Sequence, residues 1–273
     1  MKYVRIAVIV FLVASLGLYA LGTFREIRNE DPTQPTITSD REVLELSVNY
    51  EEGDLLEGLS AHDDRDGDLT SEIMVGEFSQ FVEKGVCNVS YVVFDSSNQP
   101  ASLTRQVQFT DYESPKFTLS EPLVFSAGQT DNALSRIGAT DVLDGNISAD
   151  VKQQDSTIVY RDEGDYTISV EVSNSLGDVE EQSLPAHVVE PSRLALDIQL
   201  SQWILYLRVG DDFDPDEYVE SLESTYGEAY STGLVQADSQ VDTDQPGCYE
   251  VHYTAETESG LTGETWMIVI VRE

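Results

Sequence analysis

The chain has 273 residues, room for two or three domains of ordinary size, and a composition (40% hydrophobic, 24% charged) normal for a folded protein. Its formal charge of −36 is far from normal. A body this acidic repels nucleic acid and anionic headgroups, attracts cations and stays soluble at a crowded surface, which excludes nucleic acid as a partner.

From Ile6 to Phe24 no charged residue appears, about the length that spans a bilayer. Lys2 and Arg5 precede this run and favour a cytoplasmic N-terminus with the rest exported. Two readings compete. A signal peptide cut near Ala20-Leu21-Gly22 gives a secreted protein; an uncleaved signal-anchor over residues 1–24 gives a single-pass membrane protein with its modules extracellular. The length of the run and the following Arg25 and Arg28 favour the anchor. Residues 25–35 are polar and bear Pro32 and Pro35, which suits a linker.

An internal repeat then organises the chain. Ala61-His62-Asp63-Asp64-Arg65-Asp66-Gly67-Asp68-Leu69-Thr70 returns as Ala139-Thr140-Asp141-Val142-Leu143-Asp144-Gly145-Asn146-Ile147-Ser148. A glycine followed by strict alternation appears three times, at Gly85, Gly164 and Gly247. The period of two places Cys87, Val89, Tyr91 and Val93 on one face, then Tyr166, Ile168, Val170 and Val172, then Tyr249, Val251, Tyr253 and Ala255. These are half-buried antiparallel strands with one face on a core. Short strands, regular turn signals and a repeat near 80 residues predict an all-β chain of three tandem immunoglobulin-like β-sandwiches, over residues 36–112, 113–190 and 191–273. The joints at Asp111–Pro115 and Glu190–Ser192 are too short for free swivelling. The third copy lacks the Asp-x-x-Asp-Gly turn and carries Asp214-Pro215-Asp216-Glu217 instead, a helix-start signature that predicts a short helical insertion over 215–223.

The loop Ala-x-Asp-x-x-Asp-Gly, the glycine-led strand and the closing strand together resemble a bacterial immunoglobulin-like family, found in some pesticidal crystal proteins and in tandem on Gram-positive surface proteins; hyaline-repeat domains are similar. The match covers most of residues 36–189 and is looser in the third copy. The resemblance implies a non-catalytic, surface-exposed, structural or adhesive role and names no ligand.

Few residues suggest chemistry. Asp63, Asp64, Asp66 and Asp68 surround a glycine, a candidate Ca²⁺ site, although the spacing is not that of an EF-hand. The competing reading is an Asx-turn in which Asp63/Asp141 and Asp66/Asp144 accept backbone N–H bonds and Gly67/Gly145 is left-handed. No other cofactor is expected. Tyr218, Tyr226 and Tyr230 lie in an irregular stretch and form a candidate stacking surface for a surface glycan or protein, against a reading as core. Cys87 faces inward and Cys248 outward in different modules, so no disulfide joins them. His62, His187 and His252 fall in three modules without metal-ligand spacing, and no nucleophile or phosphate-loop motif appears, so the chain does not read as an enzyme.

Overall fold

The computed structural model describes residues 11–21 and 32–273. Residues 11–21 are α-helical. Among the described residues no helix is long and apolar enough to cross a membrane. The rest of the expected anchor and most of the linker lie outside the described residues.

The remainder is β-strand joined by short 3-10 turns, and one strand order occurs three times. In each repeat a three-stranded sheet accompanies a four-stranded one. In the first repeat, Thr36–Ser39, Leu59–Asp63 and Gly67–Asp68 form the smaller sheet. The larger sheet runs Val43–Leu46, Pro100–Phe109, Val86–Phe94, Met74–Phe78. Its first pair is parallel, as are Val124–Ser126 with Val179–Val189 and Ile204–Arg208 with Thr262–Arg272. All other pairs are antiparallel, and each glycine-led strand pairs with the closing strand that follows it. Both sheets supply each core. In the second repeat, Phe117, Ile137 and Ala139 from the small sheet pack with Ile168, Val170 and Leu184 from the large one.

The alternation that announces the central strands is the alternation that buries them. Cys87, Val89, Tyr91 and Val93 are fully buried, as are Ile168, Val170 and Val172, and Val251, Tyr253 and Ala255. Tyr166 and Tyr249 are half-buried and bond outward to Asp162 O (2.9 Å) and Gln245 O (3.0 Å). The Tyr249 ring lies so close to Gly247 that a Cβ there would meet it at 3.1 Å, which explains the glycine before this strand.

The chain divides into two compact units, Met1–Thr110 and Asp111–Glu273. Within the second, the joint between repeats is a packed core. The closing strand Thr262–Arg272 buries Met267, Val269 and Val271 in the third repeat, while Ile268 and Ile270, on its other face, pack with Ile204 and the core of the second. An apolar run buried on both faces does not alternate, and Trp266-Met267-Ile268-Val269-Ile270-Val271 does not.

The helix expected over 215–223 is corrected. Asp214 caps it as predicted, its side chain accepting from Asp216 N at 3.1 Å, but it is one 3-10 turn, Pro215–Tyr218. From Val219 to Ser224 the chain is a strand, because Leu222 and Ser224 alternate inward. Nor is it an insertion. Turns at Glu52–Leu56 and Ala133–Arg136 precede the equivalent strands.

Repeat 1 differs from its neighbours inside the core. The strand registers pair Val89 with Arg105, Ile168 with Leu184 and Val251 with Met267, so a buried guanidinium stands where the other repeats place an apolar side chain. Arg105, 2% exposed, donates to Glu57 O (2.7 Å), Leu55 O (2.6 Å) and the Tyr91 hydroxyl (3.1 Å), tying down the end of the Glu52–Leu56 turn.

Candidate functional site

The acidic turns fold as matching hydrogen-bond networks. Asp63 Oδ1 accepts from Arg65 N (2.7 Å) and Asp66 N (3.0 Å); Asp141 Oδ1 accepts from Leu143 N (2.8 Å) and Asp144 N (3.0 Å). The second aspartate reaches across to the hairpin turn that follows the glycine-led strand. Asp66 accepts from Ser96 N (2.7 Å) and the Ser96 hydroxyl (2.9 Å), and Asp144 from Ser175 N (2.6 Å) and its hydroxyl (2.7 Å). Gly67 and Gly145 are left-handed, at φ 82° and 72°. The Asx-turn reading therefore describes both loops.

The expected four-carboxylate Ca²⁺ cage does not assemble. Asp63 faces inward, Asp64 is exposed, Asp66 grips Ser96, and Asp68 accepts from Thr70 N at 2.9 Å. The Thr70 hydroxyl and N–H hold the Asp68 carboxyl below its ordinary range. Among the described residues no group of three or more His, Cys, Asp or Glu is disposed to hold a metal ion. A loop that satisfies its own N–H groups turns its carboxylates toward the backbone and away from a common centre.

Behind each turn lies a buried polar pair that sequence reasoning missed. Asp141 and Asn174 are both buried, and Asn174 Nδ2 donates to Asp141 Oδ2 (3.2 Å) and to the Tyr112 hydroxyl (2.9 Å). The Tyr112 hydroxyl donates onward to Asp178 Oδ2 at 2.7 Å. Burial and the Asp178 charge push that phenol well above its ordinary range. At the equivalent places repeat 1 has Asp63 and Asp95, and repeat 3 has Ser224 and Thr257, all buried.

Nor are the three tyrosines gathered into one exposed face. Tyr218 is half-buried against the core and lies 5.8 Å from Phe213, centroid to centroid. Tyr230 also packs on the core, its hydroxyl on Glu228 at 3.0 Å. Tyr226, 95% exposed, stands at the tip of the turn before Gly227. Cys87 is buried and Cys248 exposed, both as free thiols, as their strand faces predict.

At the joint of repeats 2 and 3, Trp266 is stacked between two imidazoles, His187 at 4.0 Å and His252 at 4.1 Å, with planes within 13° and 11°. His187 bonds Asp165 through Nδ1 (2.9 Å) and Glu250 through Nε2 (2.6 Å), and His252 reaches Glu264 (3.2 Å). Glu264 also receives Arg193, which holds Glu163 at 2.8 Å. Burial works against charge on His187, but the Glu250 and Asp165 carboxylates outweigh it and raise the imidazole above its ordinary 6.5. A second cluster, Arg272 on Glu180 (2.6 Å) and over the Tyr206 ring (4.6 Å), closes another part of the joint. The His62, His187, His252 trio has no shared role, since His62 lies in repeat 1.

This frame matches known proteins in part. Residues 203–271 match the family described as bacterial surface protein, Ig-like domain. The resemblance read from the sequence is thus to a family of the right kind, although the match falls on the repeat that looked most divergent. The chain is 29% identical over 222 residues to the pesticidal crystal protein Cry22Aa of Bacillus thuringiensis, covering 78% of this chain and 29% of that protein. It therefore spans under a third of that relative's length. Among solved structures it is similar to CBM51-2 in complex with GlcNAc and INT domains from Clostridium perfringens ZmpB, at 22% identity over 54% of this chain and 26% of that one, with a TM-score of 0.24. Mouse Cadherin-23 EC22-24 is similar at 13% identity, over 88% of this chain and 99% of that one, with a TM-score of 0.22.

Proposed function

We propose that the chain is a non-catalytic bacterial surface protein in which three immunoglobulin-like modules act as spacer and adhesion elements outside the cell, behind an N-terminal signal-anchor. The observation that supports it best is the shared core of repeats 2 and 3. A spacer must resist bending at its joints, and a strand buried on both faces resists it where a flexible linker does not. The family match at residues 203–271 points to the same class. The anchor rests on the uncharged run from Ile6 to Phe24 and the basic residues on either side.

Calorimetry of the full chain tests the spacer reading: repeats 2 and 3 should melt in one transition, and separate transitions for them would overturn it. A precursor that shortens on export would replace the anchor with a cleaved signal peptide. A second reading makes repeat 3 a binding module for a surface glycan or protein. Tyr226 favours it, as an aromatic ring held open to solvent on a fixed turn. Retention of cells or wall polysaccharide by the chain, lost in Tyr226→Ala, is the outcome that reading requires.

A further inference from the structure

The buried pair behind the first acidic turn is chemically incomplete. In repeat 2 the pair closes on itself, since Asn174 brings an amide N–H to Asp141 Oδ2. Repeat 1 reproduces the surrounding bonds. Asp95 Oδ1 accepts from Ser97 N (2.8 Å) and Gln99 N (2.7 Å), as Asn174 Oδ1 accepts from Leu176 N (3.1 Å) and Asp178 N (2.9 Å). Asp63 Oδ1 is held by its own turn as Asp141 Oδ1 is. With both Oδ1 atoms fixed in the same way, Asp95 Oδ2 corresponds to Asn174 Nδ2 and Asp63 Oδ2 to Asp141 Oδ2, the two atoms that bond each other in repeat 2. An acceptor has replaced the donor. Both Oδ2 atoms are buried and have no hydrogen-bond partner, in residues only 1% and 5% exposed.

We propose that a hard divalent cation of the calcium class binds between Asp63 Oδ2 and Asp95 Oδ2 in repeat 1. Two buried carboxylate oxygens without a donor, at places that pair in repeat 2, need a positive group between them, and a cation supplies it where repeat 2 uses an amide. The nearby segment offers further oxygen: the Thr33 hydroxyl lies 3.4 Å from Asp63 Oδ1, and Gln99 Nε2 holds Thr33 O at 2.8 Å. With only two carboxylates, the remaining ligands are neutral oxygens, so the affinity is modest. The site keeps Asp63 from the loop but replaces Asp64, Asp66 and Asp68 by a residue from a different turn.

Calcium chloride titrated calorimetrically into the chelator-treated full chain, at constant physiological ionic strength, tests this. One saturable site is expected, with a dissociation constant on the order of 0.1–1 mM. Asp95→Asn, which rebuilds the pair of repeat 2, should abolish it, and Asn174→Asp should create a second site. The second variant keeps the test open if the first fails to fold. No saturable binding in the wild-type chain overturns the proposal, and so does binding that survives Asp95→Asn.

Discussion

Repeats 1 and 2 share a turn almost bond for bond, yet one is complete in itself and the other is not. The Asp–Asn pair of repeat 2 is neutralised by a donor within the fold, whereas the Asp–Asp pair of repeat 1 leaves two buried oxygens unpartnered. The cores differ in the same sense. Repeat 2 puts Leu184 where repeat 1 puts the Arg105 guanidinium, which satisfies two backbone carbonyls and a phenol. Stability in repeat 2 is therefore mostly a matter of packing, while repeat 1 depends on buried polar groups finding partners. The same backbone frame tolerates both because each substitution leaves the ladder hydrogen bonds untouched.

The largest effects should come from the cores. Arg105→Ala should cost repeat 1 about 3 kcal/mol, because carbonyls and a hydroxyl lose a charged donor. Leu184→Ala should cost repeat 2 a similar ~3 kcal/mol by a different route, a cavity. Chemical denaturation reads both, and an Arg105 loss below about 1 kcal/mol would remove the contrast. Next come the paired exchanges at the turns, measured without calcium. Asn174→Asp should destabilise repeat 2 by about 1–3 kcal/mol, and Asp95→Asn should stabilise repeat 1 by about 1 kcal/mol. Equal signs for the two would mean that the turns are not equivalent.

The other end of repeat 2 supplies a pH-dependent counterpart. The folded-state value of His187 is raised, so its protonated form binds the joint more tightly. That contribution is fully present below 6.5, the ordinary imidazole value, and is lost as pH rises through the higher folded value. Melting temperature across this interval should fall in the wild-type chain and fall less in His187→Gln; identical profiles would show that the imidazole is neutral in the joint throughout. The smallest effect is expected at Tyr226→Ala, within about 0.5 kcal/mol in stability, since the ring touches no core.

Much of this was legible beforehand. Alternation after Gly85, Gly164 and Gly247 revealed the central strands, because a period of two is what one buried face requires. The Asp-x-x-Asp-Gly motif revealed a left-handed turn, since the bonds of its first aspartate lie within three residues, but not that its second aspartate reaches the hairpin turn about thirty residues on. The helix over 215–223 failed at Val219 because a capping signal marks where a helix begins and says little about where it ends.

The sequence by itself determined the all-β class, the repeat and the left-handed turns, which rest on patterns and bonds local in the chain. Only the tertiary structure decided what those turns enclose. Asp141, at the end of a strand of one sheet, and Asn174, in the turn after a strand of the other, meet only once the two sheets have packed, and Asp63 and Asp95 hold the equivalent places. The stacking of Trp266 between His187 and His252, and the burial of the closing strand on both faces, likewise depend on two repeats docking. Spacing along the chain carries no record of such distances, because the strands that bring these groups together are paired by their backbones.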